Sequence, residues 1–144
     1  MSETFENGVH VRIDDRGVGW IEIDRPERRN ALNGPASKAI VDTLNDWSAD
    51  DGVRVVVLSG RGGSFSTGAD VVDILGQSSS NGSGDGLDPD QARSVIAGGS
   101  ILAQAVRAIR VPVVALVDGP AAGIGASLAF AADLIVATQR SYFL

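Results

Sequence analysis

The residues of this chain that could do chemistry sit in two glycine-rich turns. The first is Ser66-Thr67-Gly68-Ala69-Asp70, after a β-branched run; the second is Gly119-Pro120-Ala121-Ala122-Gly123-Ile124-Gly125, after Val113 to Val117. Each reads as a strand-to-helix turn, where main-chain N–H groups converge and a helix N-terminus adds the positive end of its dipole. If the two turns lie side by side at the carboxyl ends of adjacent strands, they present two N–H donors to one oxygen. That is an oxyanion hole made of main chain, and it needs no special side chain. The competing reading is packing, since glycine and alanine at a strand–helix junction let the helix sit close to the sheet. Either turn taken alone favours packing.

Two other motifs compete for the second turn. Gly123-Ile124-Gly125 begins a G-x-G-x-x-G pattern, but Leu128 stands where the third glycine belongs, so a dinucleotide site is a weak reading. Gly125-Ala126-Ser127-Leu128-Ala129 approximates a nucleophile elbow, which keeps a serine hydrolase using Ser127 as a remote alternative. Its triad would need a histidine downstream of Ser127, and the one histidine is His10, read here as an exposed hairpin residue. Arg28 and Arg29 read as solvated loop charges, although paired arginines beside a cleft also suit phosphate.

Composition narrows the chemistry further. The 144 residues carry 12 basic and 18 acidic side chains, a net charge of −6, which opposes any broad grip on nucleic acid or an anionic membrane. Zero cysteines exclude disulfides, thiolate catalysis and Cys-ligated zinc, and a single histidine excludes a His-rich metal site. No metal and no separate cofactor is expected. A P-loop needs Gly-Lys before Ser or Thr, whereas Lys38, the only lysine, follows Ser37. No run of about 18 apolar residues is present, and the stretch Met1 to Glu6 is too acidic for a signal peptide, so a cytoplasmic protein is expected. With 44% hydrophobic residues the chain can bury a core.

The elements that must position the turns follow from periodicity. Val9, Val11 and Ile13 alternate, a turn falls at Asp14-Asp15-Arg16-Gly17, and Val18 to Ile23 return as the second strand of a hairpin ended by Pro26. Ala36, Ala39, Ile40, Thr43, Leu44 and Trp47 recur at helical spacing from Pro35 to about Asp50. Val53 to Leu58 reads as a buried strand. Gly76 to Gly86 contains no large apolar residue and, with bounds at 76–88, reads as a mobile surface loop. Asp88 as N-cap and Pro89 in the first turn open a helix running to about Ile109. Val113 to Val117 forms a strand, Ala126 to Ala131 a small-residue helix, and Asp133 to Ala137 another strand. The alternation is that of an α/β domain.

With these elements in place the chain resembles the enoyl-CoA hydratase/isomerase (crotonase) superfamily. The resemblance is carried by Trp20-Ile21-Glu22-Ile23-Asp24-Arg25-Pro26 with Asn30-Ala31-Leu32-Asn33, and by Val55 to Gly60. Phe65-Ser66-Thr67-Gly68-Ala69-Asp70, Pro112 to Gly123 and Ala132-Asp133-Leu134 continue it in the family's order. It implies a crotonase-like spiral of β-β-α units that binds an acyl-CoA thioester, with coenzyme A as part of the substrate. It places the oxyanion hole at the main-chain N–H groups of Ala69 and Ile124. Coenzyme A contacts map to Ala69, Asp70, Val71 and Val72, with Ser66, Gly68 and Gly123 lining the same turns and Arg28 and Arg29 nearest the phosphates. Val72 stands where some relatives place a lysine.

The resemblance also marks departures. Hydratases of the family use two glutamates as general acid and base; the first falls on Ser127, and the second lies beyond Leu144. A hydroxyl does not do a carboxylate's work near neutral pH. The expectation is therefore the N-terminal portion of a crotonase fold over 1–144, without the C-terminal helical segment through which the family forms trimers or hexamers. Two readings stand: an acyl-CoA lyase or isomerase of lipid metabolism, and a catalytically inactive remnant of the fold that binds acyl-CoA or nothing.

Overall fold

Alternating β-branched residues fold Val9–Ile13 (β2) back on Val18–Ile23 (β3), pairing Val9 with Ile23 and Val11 with Ile21. Asp14 closes the turn: its Oδ1 accepts the N–H groups of Arg16 (2.9 Å) and Val18 (3.0 Å), and Gly17 takes φ +79°. The structure, a computed structural model, describes residues 3–76 and 89–144. The expected mobile loop and the Asp88 cap fall on 77–88, outside the described residues.

Asn33 caps the helix Gly34–Ser48 (α1) by accepting the Ala36 N–H, with Pro35 in the first turn. Its inner stripe, Ala36, Ile40, Leu44 and Trp47, is buried on the sheet. Gly19 makes that possible, because a Cβ there would stand 2.5 Å from the Trp47 ring. The strand Val55–Gly60 (β4) then runs parallel to β3, Val113–Val117 (β5) parallel to β4, and Leu134–Ala137 (β7) parallel to β5. With Glu3–Glu6 (β1) outside β2, the sheet is six-stranded in the order β1-β2-β3-β4-β5-β7. Helices Val71–Gly76 (α2), Pro89–Ala108 (α3) and Ile124–Ala131 (α4) complete the described residues, with α3 packed on α1 and α4. A separate two-stranded sheet pairs Pro120–Ala121 (β6) with Tyr142–Phe143 (β8). The β2–β3–α1 unit with β4 laid beside β3 is the expected β-β-α arrangement.

Several boundaries move for identifiable reasons. The strand expected from Val53 begins at Val55, because the Val53 and Arg54 N–H groups bond Asp50 and Gly17 in the turns. Asp133 stays out of β7 and its carboxylate accepts the Val113 N–H (2.8 Å). α4 starts at Ile124, two residues earlier than its apolar stretch predicts. His10 corrects the reading of an exposed hairpin residue: it is half-buried, with Nε2 2.8 Å from Asp24 Oδ2. The cause is β1, which periodicity did not reveal; it pairs Phe5 against His10, with the ring centroids 4.3 Å apart and the planes tilted by 34°.

Phe65, Ile21, Ile23, Ile40, Leu44 and Leu58 are among the largest fully buried side chains between sheet and helices. The far edge is different. Phe130, Leu134 and Val136 are 59%, 61% and 58% exposed, so α4 and β7 carry apolar residues on a second face. The Val57 and Val117 side chains, in the strands nearer the middle of the sheet, are buried. Among the described residues no helix is long and apolar enough to cross a membrane.

Candidate active site

The first turn is built from the loop after β3. Arg25 and Asn30 fold that loop over the segment that follows β4. Asn30 is fully buried and satisfied: Oδ1 accepts the Arg25 N–H (2.8 Å), while Nδ2 donates to the carbonyls of Arg61 (2.8 Å) and Ser64 (2.6 Å). It sits at φ +58°, a conformation asparagine tolerates. Arg25 Nη2 meets Asp70 Oδ2 at 2.9 Å, and its Nη1 donates to the Ala31 carbonyl. Leu32 then brackets Ala69, donating its N–H to Gly68 O (2.7 Å) and accepting from Asp70 N–H (2.9 Å). The Ala69 N–H stays outside this bridge.

The second turn is laced to the first through main chain. Phe65 and Ser66 N–H groups reach Pro120 O (3.1 and 3.2 Å), and Ala122 N–H reaches Ser66 O (2.9 Å). Gly123 N–H donates to Leu144 O (2.8 Å), and Gly125 N–H to Ala122 O (2.8 Å). Ile124, the first residue of α4, lies between them. Among the described residues, no acceptor takes the N–H of either Ala69 or Ile124. Gly68, at φ +100°, stands between the two: a Cβ added there would lie 2.9 Å from Ala122 O and 3.5 Å from Ile124 N. The two turns are therefore adjacent, and their contact leaves two neighbouring donors free.

The other expected site residues distribute around this pair. Gly123 stands at the mouth, where a Cβ would come within 3.9 Å of Gly68 Cα. Ser66 is buried, its Oγ accepting the Gly68 N–H (3.3 Å). Val71 and Val72 are exposed at the start of α2, next to Ala69. Asp70, expected at the coenzyme, is only 3% exposed; its carboxylate holds Arg25 and accepts the Asp73 N–H (3.2 Å). Arg28 and Arg29 have exposed side chains, while the Arg29 carbonyl accepts the hydroxyls of Ser64 (3.0 Å) and Thr67 (3.2 Å). That places both arginines on the rim of the first turn. Ser127 is exposed on α4, its Oγ donating to Gly123 O (3.2 Å) one turn back, and His10 is bonded at the opposite edge of the sheet. Among the described residues, no cluster of three or more His, Cys, Asp or Glu could hold a metal.

Residues 14–144 match the enoyl-CoA hydratase/isomerase family. The chain belongs to that family. A 4-chlorobenzoyl coenzyme A dehalogenase of Arthrobacter is 33% identical over the whole of this chain and 50% of its own length. A 1,2-epoxyphenylacetyl-CoA isomerase of Escherichia coli is 31% identical over 90% of this chain and 47% of its own. Among solved structures, an enoyl-CoA hydratase from Mycobacterium avium subsp. paratuberculosis superposes with a TM-score of 0.77 at 31% identity, covering 95% of this chain and 47% of that one. The fold is thus crotonase-like, as the resemblance implied. The chain spans about half the length of the curated relatives it matches.

Within this enoyl-CoA hydratase/isomerase chain, Arg25, Asn30 and the Leu144 carbonyl hold the turns, a role that side-chain pattern alone does not assign, although Arg25 and Asn30 stand in the stretches that carry the resemblance. By pattern Asn30 reads as a polar loop residue. The available clue was Asn30 itself, a small amide between two arginines and an apolar pair, where a buried loop would need its donors and acceptors.

Proposed function

We propose that this chain binds an acyl-CoA thioester with its carbonyl oxygen between the Ala69 and Ile124 N–H groups, which stabilise negative charge on that oxygen. The observation that carries the reading is the pair of unpaired donors on two adjacent turns. As a thioester enolate forms, charge moves onto the carbonyl oxygen, and two fixed N–H dipoles aimed at it need not reorganise. The α4 N-terminus adds its positive end on the same side. Removing one such donor costs about 2.7–4 kcal/mol of transition-state stabilisation in other enzymes.

The arginine-bearing rim supports a nucleotide handle, with Arg28 and Arg29 toward the phosphates and Val71 and Val72 along the chain that follows. Coenzyme A is the handle of the substrate, with no separate cofactor. This chain's contribution is binding and charge stabilisation: Ser127 is a back-bonded hydroxyl and supplies no general base. The relatives named for CoA-ester reactions favour this reading over a hydrolase.

The test is infrared spectroscopy of crotonyl-CoA labelled with carbon-13 at the thioester carbonyl. On binding, the C=O stretch should move to lower frequency, and Ala69→Pro, which deletes the N–H, should abolish most of that movement. A bound carbonyl that absorbs at its solution frequency overturns the reading.

A further inference from the structure

The two donors are held differently. Ala69 is next to Asp70, which is buried against Arg25. Ile124 follows Gly123, which caps α4 without any side-chain bond and takes φ +52°, ψ −121°. Glycine has no local preference that would hold this conformation, so something outside the turn must fix it. The Gly123 N–H is tied to Leu144 O (2.8 Å), and Leu144 is the end of a series of contacts. Leu144 N–H bonds Ala121 O (3.0 Å), Tyr142 N–H bonds Gly119 O (3.3 Å), and Ser141 Oγ bonds Val117 O (2.8 Å). The series starts at Asp118, where Arg140 donates from Nε to Oδ1 (2.6 Å) and from Nη2 to Oδ2, and Thr138 Oγ1 adds a third bond (2.9 Å).

We propose that the Asp118–Arg140 pair positions the Ile124 donor: it fastens residues 138–144 along the second turn, whose last carbonyl fixes the peptide next to Ile124. This rests on the reading of Ile124 as an oxyanion donor and names the residues that aim it. Two glycines make room for the arrangement. A Cβ on Gly63 would stand 3.2 Å from Arg140 Nη2, and one on Gly119 would strike the Gly63 carbonyl. Arg140 thus lies where the loops of both donors meet. Its fork and the Thr138 hydroxyl hold the Asp118 carboxyl down to about 2, against 3.8 for an ordinary aspartate. Neither Asp118 nor Arg140 reaches the donor pair; both are positioning residues.

The full chain is measured as wild type, Arg140→Met, Arg140→Lys and Asp118→Asn. Two readouts are taken: amide exchange at Gly123 by NMR, and the C=O stretch of bound carbon-13 crotonyl-CoA. We expect Gly123 exchange to become several-fold faster in Arg140→Met and Asp118→Asn, with most of the carbonyl shift lost at saturating ligand. Arg140→Lys keeps the charge without the fork and should recover only part of both. A variant that melts earlier yet keeps wild-type Gly123 exchange and carbonyl frequency would show a merely structural pair and overturn the proposal. Loss of the carbonyl shift already in wild type would overturn the oxyanion reading instead. In that case unchanged Gly123 exchange in Arg140→Met would separately refute the mechanical link.

Discussion

Replacing Arg25 by Met should be among the most damaging single changes to this chain. The Arg25 side chain is 14% exposed and that of Asp70 3%, with Nη2 and Oδ2 2.9 Å apart. Met keeps most of the aliphatic stem, which packs against Gly8, where an added Cβ would collide with Arg25 Cγ. What is lost is the guanidinium, which leaves the buried Asp70 carboxylate, among the described residues, with the Asp73 N–H and the Ala31 carbonyl without its donor. Breaking a buried pair from one side costs about 3–5 kcal/mol, out of a total of about 5–15 kcal/mol for a domain. Asp70→Asn should cost about as much, because the amide has one oxygen for two donors, so either the Asp73 N–H or the Arg25 guanidinium is left facing the Nδ2 group. The double variant Arg25→Met/Asp70→Asn removes both charges together and should lose less than the two single losses combined. Urea unfolding of the four proteins, followed by circular dichroism, measures each term. An Arg25→Met chain destabilised by less than about 1 kcal/mol, the range of exposed pairs, would refute the view that this pair is a desolvated anchor of the first turn.

Further outcomes follow from the same geometry. Gly68→Ala places a methyl 2.9 Å from Ala122 O at φ +100°, so it should cost about 1–3 kcal/mol of stability and remove most of the carbonyl shift of bound crotonyl-CoA; a wild-type spectrum would show that the gap between the turns is not used. Asp118, held at about 2 in the fold against 3.8, lends stability that is fully present above 3.8 and is lost as pH falls toward 2. Gly123 protection, corrected for intrinsic exchange, should therefore stay flat from neutral pH to about 4 and fail only below it, and a loss in the histidine range would contradict the assignment. The exposed row Phe130, Leu134 and Val136 should drive concentration-dependent self-association. Leu134→Lys/Val136→Lys should reduce the sedimentation-average mass, and a wild-type chain monomeric at every concentration would contradict this.

What was legible in the sequence was whatever side-chain periodicity or turn chemistry encodes. Val9 to Ile23 announced a hairpin, the spacing from Ala36 to Trp47 announced α1, and glycines flanking Ala69 and Ile124 marked both turns. β1 was not legible, because Glu3-Thr4-Phe5-Glu6 has one apolar residue and becomes a strand only by pairing with β2; His10 was misread for the same reason. The roles of Arg25 and Asn30 were hidden because their partners, Asp70 and the Arg61 and Ser64 carbonyls, lie some thirty or more residues away in sequence. Asp70 is the converse case. The resemblance maps this residue to coenzyme A, and the structure shows its carboxylate 3% exposed, holding Arg25 and accepting the Asp73 N–H.

Packing and donor geometry first looked like rival explanations of the glycine turns, yet the structure makes them one. Added Cβ atoms at Gly60, Gly119 and Gly125 would strike the carbonyls of Ser64, Gly63 and Ser66, so these glycines exist to bring main chain against main chain. The approach is what lets Ala122 bond Ser66 and lets Phe65 and Ser66 bond Pro120. Those bonds occupy the Phe65, Ser66 and Ala122 N–H groups. A main-chain donor without an acceptor is uncommon away from water, and here the N–H groups of two half-buried residues, Ala69 and Ile124, have no acceptor among the described residues and stand on adjacent turns. One unpaired donor would be an ordinary helix N-terminus. Two, set on adjacent turns by the same glycines, are the pair that the proposed function assigns to one oxygen, and the packing that brings the turns together is what sets them side by side.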